Sequence, residues 1–165
     1  MNKRSPIKSS PSTLGPALFV LAIIAMLGWA SAIAPAFATQ SKPLEHKVVF
    51  QVDSNDVTVM KHAISGSINA AQYYKSKHEG ISIEIVANAT GIEMFRDDTS
   101  PLKDAIAALR TMVPGIALSM CGSSKAIAEQ KEGHPLPLIE GVTVVPYGVG
   151  RVIDLQEHGW VYIHA

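Results

Sequence analysis

The chain has one cysteine, Cys121, in 165 residues. A single thiol cannot make an internal disulfide, so the fold must stand on packing alone. Histidine is scattered: His46, His62, His78, His134, His158 and His164 show neither His-x-His nor Cys-x-x-Cys spacing, and no metal site is expected. Gly148-Val149-Gly150 lacks the third glycine and the following acidic residue of a dinucleotide fingerprint. Ser119 lacks the Gly-x-Ser-x-Gly elbow of a hydrolase. The sequence therefore names no cofactor. With 14 basic and 14 acidic residues the chain also carries no excess charge to attract nucleic acid.

What is present begins with an apolar bias, 47% hydrophobic against 17% charged, concentrated at the start. Lys3, Arg4 and Lys8 stand without an acid before residues 14–34, which are almost wholly apolar. Ala36-Phe37-Ala38 then supplies the small-x-small pattern of a secretory cleavage site. The sequence predicts a signal peptide over residues 1–38, cleaved after Ala38, and a periplasmic protein. The alternative is an uncleaved anchor, since residues 14–34 are long enough to span a bilayer with the rest facing the periplasm. Without residues 1–38, 11 basic residues face 14 acidic ones, a net charge near −3. The remaining 127 residues can bury roughly two-thirds of their unfolded surface as one domain.

After a linker over residues 39–46, strands and helices alternate. Residues 47–52 are β-branched and mostly apolar and read as the first strand, and Asp53-Ser54-Asn55-Asp56 is a turn and cap cluster. Val57, Met60, Ile64, Ile68 and Ala71 then recur at helical spacing. A second strand is predicted over residues 81–87, a loop over residues 88–91, and a helix capped by Ser100 with Pro101 at its first position. Leu102, Ala105, Ile106 and Leu109 make its buried stripe. Residues 131–141, with two prolines and two glycines, read as a loop or lid. Its Leu136, Leu138 and Ile139 look exposed and suited to packing between subunits. Strands over residues 142–145 and 160–164 flank a last helix with Val149, Val152, Ile153 and Leu155 inward, stopped by Gly159. Such alternation predicts an α/β fold: three α/β/α layers around a mainly parallel five-stranded sheet in residues 47–165.

The stretch with chemical content is Gly-Ile-Ala-Leu-Ser-Met-Cys-Gly-Ser-Ser-Lys, residues 115–125. The apolar run 116–120 fits a buried strand that delivers Cys121 at its carboxyl end. Gly122, Ser123 and Ser124 follow as a turn and helix cap, with Lys125 the nearest cation in sequence. Open α/β sheets place their chemistry at such positions. A helix N-terminus contributes roughly 0.3–1 kcal/mol toward ionising an exposed thiol, at most ~0.7 pH units. That makes a modest nucleophile, and a nearby cation would strengthen it. The competing reading is a small buried hydrophobe with no chemistry. Asn88 and Gly91, with Gly122, Ser123, Ser124 and Lys125, could form an anion pocket at helix N-termini or serve as ordinary caps.

Several pieces, in order, resemble the DsrE/DsrF-like family of small α/β sulfur-relay proteins. They are Val48-Val49-Phe50 with Asp53, Asn69, Val86-Ala87 leading to Gly91-Ile92, and Asp98-Thr99-Ser100-Pro101. Met120-Cys121, Val145-Pro146 with Gly148-Val149, and Leu155-Gln156 with Gly159-Trp160-Val161-Tyr162 complete the set. The resemblance implies a DsrE-like fold, flavodoxin-like in architecture, and a homo-oligomer, trimer or hexamer. It implies sulfane sulfur accepted on Cys121 and exchanged with a donor or acceptor protein. Asn88-Ala89-Thr90-Gly91 stands where members often carry His-Gly-x-Gly, and Gly122-Ser123-Ser124 where they often carry x-Asn-Thr. The thiol's polar surroundings therefore differ from the family pattern. The reading from another class is a non-catalytic oligomeric module that binds a small anion or partner protein, with Cys121 buried.

Overall fold

The computed structural model describes residues 45–165. The signal-peptide and anchor expectations, and most of the linker, lie outside the described residues. Strand β1 (Glu45–Val52) is followed by α1 (Val57–Ser76), β2 (Gly80–Ala87), a 3-10 helix (Ala89–Phe95) and α2 (Lys103–Met112). Then come β3 (Ala117–Cys121), α3 (Gly122–Glu132), β4 (Thr143–Val145), α4 (Gly148–Glu157) and β5 (Val161–His164). The first strand starts at Glu45, inside the expected linker, because Glu45 and His46 continue the ladder opposite Gly80 and Ile81. Among the described residues no helix is long and apolar enough to cross a membrane.

Among the described residues all four strand pairings are parallel, in the order β4-β3-β2-β1-β5. The sheet is thus wholly parallel, with helices on both faces. Alternation along each strand separates two environments. Val48, Phe50 and Val52 of β1, Ile83, Ile85 and Ala87 of β2, and Leu118 and Met120 of β3 join one core. Met60, Ala63 and Ile64 of α1 and Leu102, Ile106 and Leu109 of α2 close that core, with Ile92, Met94 and Phe95 from the 3-10 helix. The opposite face is thin. There Val49 and Val86 form a small cluster with Val152 and Leu155 of α4, with Trp160 beside them.

Three expectations about side chains are corrected. Val57 is exposed, and Ala63 and Ser67 share the buried face of α1, because the helix meets the sheet one turn beyond its cap. Val149 and Ile153 of α4 are 55% and 49% exposed, since one helix lying on a flat face buries only a narrow stripe, Val152 and Leu155. Leu136 is 4% exposed and belongs to the main core, with Leu138 and Ile139 packed against it. That segment is held to the 3-10 helix by Ile139 N–H donating to Phe95 O at 3.0 Å and Asp97 N–H to Pro137 O at 2.9 Å. Its apolar residues thereby serve the chain's own core.

Buried Arg96 closes this region. Its guanidinium donates to Asp98 at 3.0 and 2.8 Å, to Glu132 at 2.6 and 2.8 Å, and to Glu93 at 3.1 Å. The hydrogen bond from Arg96 lowers the Asp98 carboxyl to about 2.

Candidate functional site: a thiol between two helix N-termini

Strands β1 to β4 follow one another across the sheet, and the chain then returns over the opposite face through α4 to β5 on the far edge. The connections leaving β3 and β4 therefore diverge to opposite faces. The crevice at their carboxyl ends is the topological switch point of the sheet, where ligands of open α/β folds bind. Cys121 ends β3 at this crevice, paired with Val145 of β4. It is also the N-cap of α3, where its extended backbone (φ −67°, ψ 116°) lets Sγ accept from Ser124 N–H at 3.5 Å.

The start of α4 reaches the same thiol. A Cβ on Gly148 would stand 3.0 Å from the Cβ atoms of both Cys121 and Asn88, so only glycine lets the helix approach this closely. Burial pushes the Cys121 thiol up, with the residue only 6% exposed. The Ser124 hydroxyl and the N–H groups of Gly148, Ser124 and Ser123 outweigh it and leave the thiol below its ordinary value. These donors are first-turn groups of two helices, free of intrahelical partners and aimed at negative charge.

Not every candidate residue meets at the thiol. Ser124 does, and its Oγ also accepts from Ala89 N–H at 2.9 Å, which holds Ala89 in the left-handed region at φ 48°. Ser123 N–H also donates to Pro146 O at 3.2 Å, tying the α3 cap to the loop before α4. Gly122 passes close to the β4 backbone, where a Cβ would lie 3.1 Å from Val145 O. Lys125 turns along its helix to Glu129. The groups that lower the thiol are dipoles and a hydroxyl, with no cation among them. Gly91 packs against β1, where a Cβ would fall 2.2 Å from Val52 O, and its N–H donates to Asn88 O. Its place is explained by close packing.

Asn88 stands beside Cys121 in a chain of polar groups along the carboxyl ends of the strands. Tyr162 OH donates to Gln51 Oε1 at 2.8 Å, and Gln51 Nε2 donates to Asn88 Oδ1 at 2.9 Å. Gln51 and Tyr162 were missed in the sequence. A polar Gln51 inside an otherwise apolar strand was the available signal. A cavity of about 410 Å³ adjoins the site, lined in part by Asn55, Ala89, Thr90, Ser124, Ile127 and Lys131.

No family model and no curated protein matches the chain. Among solved structures it is similar to a protein of unknown function, MTH1491, from Methanobacterium thermoautotrophicum. The two are 28% identical with a TM-score of 0.59, over 73% of this chain and 99% of that one. The likeness supports the three-layer fold and brings no activity with it.

Proposed function

We propose that the protein takes up sulfane sulfur on Cys121 and carries it to an acceptor, in keeping with its resemblance to DsrE/DsrF-like proteins. The observation that carries this reading is the placement of Cys121 as the N-cap of α3, its Sγ accepting from Ser124 N–H at 3.5 Å, beside the start of α4 at Gly148. In the reaction, the Cys121 thiolate attacks the outer sulfur of a donor R–S–SH. A new S–S bond forms on Cys121 as the donor's S–S bond breaks. R–S⁻ leaves with the electron pair, and no external oxidant enters. The persulfide so formed is more acidic than a thiol, and the same N–H groups suit its negative charge. Export to the periplasm and assembly into a homo-oligomer belong to the same proposal. The exposed Val149 and Ile153 on α4 suit a subunit contact.

One observation favours the second reading, a binding module without thiol chemistry: Cys121 is only 6% exposed. Intact-mass analysis of the protein after incubation with polysulfide separates the two. The carrier gains one or more sulfur masses, reversed by a reductant and absent in Cys121→Ser. A folded protein that gains no mass overturns the carrier.

A further inference from the structure

Glu84 is a buried ionisable group that the carrier chemistry leaves unused. It lies in the middle of β2 among isoleucines and valine, and its side chain is 1% exposed. Taking a carboxylate out of water costs several kcal/mol, and the guanidinium that pairs with Glu84, that of Arg151, is itself 40% exposed. The partners of Glu84 suggest its role. Glu84 Oε1 accepts from Ser119 Oγ at 2.7 Å and from Arg151 Nε at 2.9 Å, and Oε2 accepts from Arg151 Nη2 at 2.7 Å.

Ser119 stands two residues before Cys121 and on the same face of β3. Arg151 stands three residues after Gly148, in the first turn of α4, with Asp154 the other acid that faces it. One carboxylate therefore ties the strand that carries the thiol to the helix whose first N–H faces the thiol. There is little slack at that junction, since a Cβ on Gly148 would stand only 3.0 Å from the Cβ atoms of Cys121 and Asn88. The two-pronged grip of Arg151 fixes direction as well as distance.

We infer that Glu84 is a positioning residue, which through Ser119 and Arg151 sets the gap between the Cys121 thiol and the Gly148 N–H and so governs the thiol's reactivity. The inference rests on the carrier reading for its purpose. It is tested without a sulfur donor, by following thiolate ultraviolet absorbance against pH in the full chain with Cys121→Ala as the blank. With one cysteine in the chain, the signal belongs to one group.

The double variant Glu84→Leu, Arg151→Leu keeps α4 on the sheet through Val152 and Leu155, checked by circular dichroism. It is expected to raise the Cys121 midpoint by roughly half a pH unit, the scale of one helix terminus. Arg151→Lys keeps the charge but loses the fork, and gives a smaller rise in the same direction. A folded double variant with the parent's midpoint overturns the inference. If that variant does not fold, an unchanged midpoint in Arg151→Lys overturns it. A parent that fails to load sulfur while the variants shift the midpoint overturns the carrier reading and leaves the positioning intact.

Discussion

The two faces of the sheet are made by alternate residues of the same strands, yet they are built for different work. Beneath α1 and α2 the side chains are apolar from β1 to β3, and Phe95, Ile106 and Leu109 are completely or almost completely buried. Beneath α4 the same strands present Gln51, Glu84, Ser119 and Cys121 among only two buried valines. One face holds the molecule together, and the other holds a thiol with its donors. The division lets polar groups be arranged around Cys121 while stability is supplied elsewhere. Side-chain alternation makes it possible within strands of eight residues or fewer.

That contrast can be broken first where it should be strongest. Phe95→Ala is expected to cost about 3–5 kcal/mol in urea unfolding, since it empties a closed site in the thick face. Leu155→Ala on the thin face should cost only about 2 kcal/mol, the low end for a large-to-small change, because an open face relaxes into the space. Equal costs would mean that the faces share the load.

Asp98 titrates at about 2 in the folded protein, held there chiefly by its hydrogen bond from Arg96, against about 4 for an unfolded aspartate. Its contribution to stability is therefore present above about pH 4 and lost as pH falls toward 2. Glu132 is lowered by the same guanidinium. Arg96→Met should flatten this acid limb in unfolding curves measured across that range. The smallest effect is expected from Lys125→Ala, which breaks a helical pair with Glu129 worth a few tenths of a kcal/mol. It should leave the Cys121 midpoint where it is.

The sequence made most of the scaffold readable because most strands and helices carry their own periodicity and punctuation, although α2 starts at Lys103 with Leu102 rather than Ser100 as its cap, and a 3-10 helix begins at Ala89 inside the expected loop. Asp56 caps α1 as its position suggests, accepting from Thr58 N–H at 2.7 Å, and Gly159 follows α4 with φ 82°. The placement of Cys121 between a strand and a helix was equally legible, because it depends on neighbours in sequence. Contacts across long separations were not. Glu84 and Arg151 are 67 residues apart, and nothing in either segment announces the other. A charge in the centre of Ile-Ser-Ile-Glu-Ile-Val-Ala was still a readable oddity, since such a residue must find a partner if it is buried. The second helix N-terminus at the thiol was hidden for the same reason, because Gly148 reaches Cys121 only through the β3–β4 crevice. Periodicity likewise marked Val149 and Ile153 as apolar without telling how much of α4 the sheet would cover.

Sulfur chemistry at Cys121 requires its donors to overcome burial, and one titration measures that contest directly. Thiolate absorbance of the folded parent, followed against pH with Cys121→Ala as the blank, should show a midpoint below the ordinary thiol value of about 8.5. A midpoint at or above that value would mean that burial dominates, and would contradict a thiol prepared for sulfur chemistry.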